Sequence, residues 1–314
     1  MTDPRPAPPT GYSWEAPTAP PVAGQPPTDQ PFNPIGAPGA SGPGAVGPAS
    51  APGAKPEKVR PWWGMGDALL MIPIMGVVLV VSLGILAALA AIQGLSFTEF
   101  SSSDQADLPA SMLVIPTLFQ QLVWFGWPFI VSKWKGLGPA ADWGWAFKPV
   151  DLGIGLGVAM IGVFSAGLVG MGVGALVGLE DESLAENTQI LTDLEGSPWL
   201  IGLLFVVVIG APFSEELLFR GLIMRSVEKR WGPVAGVVGS LLVFVPIHFA
   251  DGGIFSAGQI VLWSSIATLG AVLAIAALQT GRLAAPIVAH VIINGLASAA
   301  ALGYFDAITD QLPS

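Results

Sequence analysis

The sequence predicts an all-α, polytopic helical membrane protein of about seven transmembrane helices, or eight if the long fourth segment hides another. A disordered Pro/Gly-rich tail precedes them. Three observations predict this class. Hydrophobic residues fill 52% of the 314 positions and charged residues only 11%, where a soluble globular chain carries about 25% charged residues. Apolar runs long enough to cross a bilayer recur from Trp62 onward. Residues 1–60 hold 16 of the 29 prolines, and such a segment cannot bury enough apolar surface to offset its chain entropy.

The chain thus divides into a cytoplasmic tail, 1–60, and a helical membrane domain, 61–314. No apolar stretch stands near Met1, so the tail does not read as a signal peptide. The absence of cysteine excludes disulfides, Cys-ligated zinc, iron–sulfur clusters and thiol nucleophiles. A net charge of −10 argues against nucleic acid as a partner. Imidazole chemistry must use His248, His290 or both, because the chain has no other histidine.

Seven spans follow in order: Asp67–Gln93, Ala110–Val131, Leu152–Leu179, Trp199–Met224, Val234–Phe249, Ile260–Leu278 and Leu283–Leu302. The fifth is short, and Glu215, Glu216 and Arg220 interrupt the fourth. In the third, Gly153 and Gly157, then Gly170, Gly174 and Gly178, recur at a four-residue spacing that lets helices approach closely.

Charge sets the expected orientation. Apart from Arg220 inside span four, every basic residue falls in the tail or in the connections 2–3, 4–5 and 6–7. The other connections are acidic or neutral. The positive-inside rule then places the N-terminus in the cytoplasm and the C-terminus outside, in a multi-pass protein of the cell membrane. Trp62, Trp63, Trp134, Trp143, Trp145, Trp199 and Trp231 stand at span ends, where an aromatic belt is expected.

An ionisable residue within a span is costly and points to function. Glu216 and Arg220 are four apart and share a helix face, with the glutamate on the favoured N-terminal side. Glu215 points about 100° away and lacks a cationic partner in its own helix. A carboxylate in a poorly solvated site makes a better base. Adjacent carboxylates in unlike environments divide structural from catalytic work. His248 closes Phe244-Val245-Pro246-Ile247-His248 in span five, and His290 shares a face with Asn294 in span seven. Each is costly alone in a hydrophobic helix. Together, in one polar cavity, they form an inventory that can bind and activate a water, with or without a metal. Counting 1.5 Å per residue, His290 lies about 10 Å from the cytoplasmic end of its span, Glu215 about 15–20 Å and His248 about 20–25 Å. Convergence therefore requires tilt, a fifth helix starting below the membrane surface, or kinks at Pro212, Pro246 and Pro286.

Glu215-Glu216-x-x-x-Arg220, Phe244-x-x-x-His248 and His290-x-x-x-Asn294, in that order in separate spans, resemble the CAAX protease and bacteriocin-processing family, also called the Abi family. Its members are intramembrane endopeptidases, and the resemblance covers about residues 199–302. It implies that Glu215 activates a water with His248. It further implies that His290 and Asn294 bind a metal or stabilise the oxyanion, while Glu216 and Arg220 support the site. In the metal reading, zinc sits on His248 and His290 with Glu215, a familiar catalytic set. In the metal-free reading, Glu215 and His248 share a water. The implied partners are the lipid bilayer and a peptide or protein substrate near the membrane, with prenylation of that substrate left open. Two rivals share the same residues: a non-catalytic scaffold or bacteriocin-immunity protein, and a proton-coupled transporter. Gly64-Met65-Gly66-Asp67 matches a string of presenilin-type aspartyl proteases, but the Tyr-Asp partner is missing.

Overall fold

The computed structural model describes residues 62–95, 110–178, 191–192, 194–249 and 253–305. The expected tail, 1–60, lies outside them, as do most of the acidic connections and the C-terminal Asp306 and Asp310. All regular structure among the described residues is helical. A short α1 (Met65–Leu69) breaks at Leu70 and continues as α2 (Met71–Ile92). Then come α3 (Ala110–Lys135), a short α4 (Pro139–Trp143), α5 (Val150–Val177), the long α6 (Pro198–Trp231), α7 (Pro233–Phe244), α8 (Ala257–Thr280) and α9 (Ala284–Ala301). Among the described residues, six segments are long and apolar enough to cross a membrane, and Pro233–Ile247, in which a 3-10 turn extends α7, is a shorter seventh. The chain is thus an all-α, multi-pass membrane protein.

Local chemistry explains where these helices start. Ser197 caps α6 by accepting from Trp199 N, with Pro198 in the first turn where no N–H is needed. Ser256 caps α8 in the same way, accepting from Gln259 N. Two boundaries differ from the sequence reading. α6 runs on to Trp231 instead of stopping at Met224, so Arg225, Lys229 and Arg230 ride on the helix and not in a loop. Gly232 alone then separates α6 from α7, making a tight hairpin.

One end of the bundle is tied by polar contacts. Lys135 Nζ lies 2.6 Å from Asp67 Oδ1. Arg282 grips Asp151 through Nη2 at 2.5 Å and Nε at 3.1 Å. Asp142 accepts from Leu137 N, Gly138 N and Ser132 Oγ. Leu283 N donates to Gly144 O at 3.0 Å, a close approach that only glycine permits. Gly144 has φ +67°, and a Cβ there would lie 2.2 Å from Gly281 O. The basic ends of α1, α3, α5, α6, α8 and α9 therefore meet at one face. Asp67 belongs to this network, which accounts for the Gly-x-Gly-Asp string structurally.

The aromatic belt needs correction. Trp62, Trp134 and Trp231 are exposed, but Trp63 and Trp143 are buried. Their rings pack 4.3 Å apart, and Lys229 Nζ sits 3.2 Å from the Trp63 ring. These two indoles are core residues because the basic ends of the helices close over them. The glycine seam also shifts. α5 packs most extensively against α8 and α9. The positions in contact are Gly155 against Val288, Gly162 against Leu269 and Gly170 against Ser265, whereas Gly153 and Gly157 face open space. Gly153 and Gly157 each stand two residues from Gly155, about 160° round the helix, and so point away from the seam, whereas Gly170 of the four-spaced set lies in it and Gly174 is buried.

Candidate active site

α6 is not uniformly wound. Phe205–Gly210 and Glu216–Ile223 are π-helical and flank an α-helical Ala211–Glu215. Such segments are rare and concentrate at functional sites. The Glu215–Glu216 pair stands at the second junction.

Glu216 is fully buried, and its Oε1 accepts from Arg220 Nη1 and from His290 Nδ1, both at 2.9 Å. Arg220 is equally buried. It lies 4.2 Å from the centre of the Phe244 ring and donates from Nη2 to Gly270 O at 3.3 Å. Glu215 faces elsewhere. With His248, His290 and Asn294 it lines a cavity of about 270 Å³ walled by apolar side chains such as Phe244 and Leu269. Its Oε2 is 3.8 Å from His290 Nε2. A carboxylate accepts, so Nδ1 of His290 is the donor to Glu216, and Nε2 is the nitrogen on the Glu215 side.

His248 follows the helix instead of ending it. Its backbone is extended (φ −101°, ψ 118°), just past the 3-10 turn. Its Nδ1 donates to Phe244 O at 2.9 Å, which leaves Nε2 as the uncommitted ring nitrogen. Its own carbonyl accepts from Gln259 Nε2 at 3.0 Å and Trp263 Nε1 at 2.7 Å. Non-helical backbone at membrane depth is tolerated where protein satisfies it and a cavity adjoins it. Asn294 Nδ2 donates to Val207 O in the first π segment at 2.8 Å.

The depth problem resolves in the stagger of the helices. Leu283, which precedes α9, packs beside Gly221 of α6. From that level Glu216 is five residues away and His290 seven, about 7.5 and 10.5 Å along their helices. α6 simply extends further past the start of α9. α7 runs back from that extension, with Gly236 beside Glu228 and Ser240 Oγ donating to Phe219 O. This carries His248 to the level of the glutamates. Pro286 falls in the first turn of α9, where a missing N–H costs nothing.

The cavity thus brings Glu215, His248, His290 and Asn294 together, with Glu216 and Arg220 directly behind them. Sequence reasoning missed one polar contact beside it: Ser214, adjacent to Glu215, is hydrogen-bonded to Gln121 of α3, and both are buried. Nothing in the α3 sequence marks Gln121, because a lone amide in a span carries no spacing signal. Among the described residues, no group of three His, Asp or Glu side chains is arranged to hold a metal ion.

Residues 197–296 match the type II CAAX prenyl endopeptidase Rce1-like family. The matched stretch holds all six candidate residues and coincides with the region that resembled the CAAX proteases. No curated protein and no solved structure matches the chain. The family match supports a CAAX protease-like, hydrolytic function for this membrane protein.

Proposed function

We propose that the protein is an intramembrane CAAX protease-like endopeptidase that cleaves a peptide bond near the membrane with a water activated by Glu215. The observation that supports this most is the division between adjacent carboxylates. Glu216 is fully engaged with Arg220 and His290, while Glu215 opens onto the cavity that both histidines share. Glu215 takes a proton from the water as its oxygen attacks the scissile carbonyl carbon, and the proton passes to the departing amine. His248, with Nε2 uncommitted, orients that water. His290, held by Glu216 through its Nδ1–H, presents Nε2 beside Glu215 as an acceptor for the attacking water. Asn294 offers its second amide N–H to the oxyanion. A cavity walled by apolar side chains strengthens each of these contacts relative to bulk water.

The reaction as proposed runs on side chains of this chain alone. A bound zinc would polarise the scissile carbonyl, with Glu215, His248 and His290 as its ligands, but these would first have to close on the ion. The substrate is proposed to be a membrane-proximal peptide segment. Purified protein in detergent should cleave a fluorogenic peptide ending in Cys-aliphatic-aliphatic-X, offered in farnesylated and unmodified forms. Comparing the two forms separates a need for the lipid from recognition of the peptide. No cleavage of either, with wild type and Glu215→Gln indistinguishable, overturns the proposal.

A further inference from the structure

The first π segment of α6 carries an unusual hydrogen-bond problem. Ala211 N donates to Val206 O, an i→i+5 bond. The next carbonyl in that ladder is Val207 O, whose partner would be the N–H of residue 212. That residue is proline, which has none. An unsatisfied carbonyl in the bilayer interior is costly. Asn294, from α9, supplies the donor instead, with Nδ2 at 2.8 Å. Asn294 also lines the cavity. A primary amide has two N–H donors and one acceptor oxygen. With one N–H held by α6, the plane of the amide is set, and the second N–H and Oδ1 are what it can offer the cavity.

We propose that Pro212 is a positioning residue for Asn294. By withholding a backbone N–H it keeps Val207 O open, and that carbonyl orients the Asn294 amide toward the substrate. This rests on the peptidase reading above, but the link itself is independent of it. Without the π winding, Val207 O would bond within the helix. Without the proline, alanine or any other residue in its place would donate to that carbonyl and release the amide.

The test is a double-mutant cycle on full-length protein in detergent with Pro212→Ala, Asn294→Ala and the double variant. Both melting temperature and cleavage of the farnesylated fluorogenic peptide are read. Pro212→Ala is expected to fold as well as wild type and to lower kcat about tenfold with KM within about twofold, while the same change made on top of Asn294→Ala costs nothing further. On melting, Asn294→Ala should destabilise strongly where Pro212 is retained. It should destabilise only weakly on top of Pro212→Ala, because the backbone N–H gained there satisfies Val207 O. Equal kcat losses in both backgrounds would mean that Pro212 acts on the helix at large, and would overturn the proposal. So would an Asn294→Ala melting shift that is the same with and without Pro212→Ala. If wild type cleaves no peptide, the function proposal fails, and the melting cycle still decides whether Pro212 and Asn294 are coupled.

Discussion

Glu216 Oε1 and His290 Nδ1 lie 2.9 Å apart, a fully buried contact between helices whose partners are 74 positions apart in sequence. It makes Glu216 the hinge of two demands: it neutralises Arg220 and it holds the imidazole that faces Glu215. A single oxygen serves both. Removing that oxygen's charge therefore damages the fold, and removing the charge of its neighbour should not.

Glu216→Gln leaves Arg220 buried without its counter-charge. Breaking a buried pair costs about 3–5 kcal/mol, so folded yield and melting temperature should fall sharply. Glu215→Gln should melt like wild type and lose turnover by about 10²- to 10⁴-fold, the range for a general base. Parallel thermal melts and kcat measurements read both, and equal loss of folded protein in the two variants refutes the division of labour.

The glycine positions predict a contrast along α5 and α8. Gly270→Ala would place a Cβ 2.7 Å from Leu241 Cδ2 and 3.2 Å from Arg220 Nη2, and Gly155→Ala would place one 2.6 Å from Val288. Each should destabilise by about 1–3 kcal/mol, as overpacking does. Gly153→Ala and Gly157→Ala meet open space and should melt near wild type. A Gly157→Ala loss as large as that of Gly155→Ala would misplace the seam.

Orientation is read by reporter fusions. A reporter inserted between Lys135 and Lys148 should be cytoplasmic, and one fused after Ser314 extracytoplasmic, on the expectation that the shorter Pro233–Ile247 crosses as a seventh segment beside the six long ones. Both on the same side would mean that the seven-span count is off by one: either Pro233–Ile247 does not cross or a further segment does.

The arrangement of the site predicts indifference to chelation. With no three-ligand group among the described residues, peptide cleavage should persist in excess strong chelator and gain nothing from added zinc. Loss with chelator and recovery with zinc would show that Glu215, His248 and His290 close on an ion during turnover.

The candidate residues were legible because charge and imidazole are rare in an apolar chain. Glu215, Glu216, Arg220, His248 and His290 stand out against the spans, and the four-residue spacing of Glu216 with Arg220 survives the π winding as a real 2.9 Å pair. The length of α6 was not legible, since Arg225, Lys229 and Arg230 read as a loop by charge although they continue the helix. The burial of Trp63 and Trp143 was hidden for a related reason: an indole at a span end is a belt residue or a core residue according to what packs over it.

Sequence alone determined the class, the helices and the chemical inventory, because hydropathy over some twenty residues dictates a membrane helix and the cost of buried charge flags the site. Tertiary structure decided what surrounds each carboxylate. Glu215 and Glu216 are identical in chemistry and adjacent in chain. The i,i+4 spacing already pairs Arg220 with Glu216, but the placement of His290 on that same oxygen, and of an open cavity beside Glu215, is a tertiary matter. That placement depends on how far α6 overhangs α9 and on where the winding of α6 changes. Both are set by contacts such as Gly221 with Leu283 and Val207 with Asn294. These join residues far apart in the chain and have no periodic trace within it.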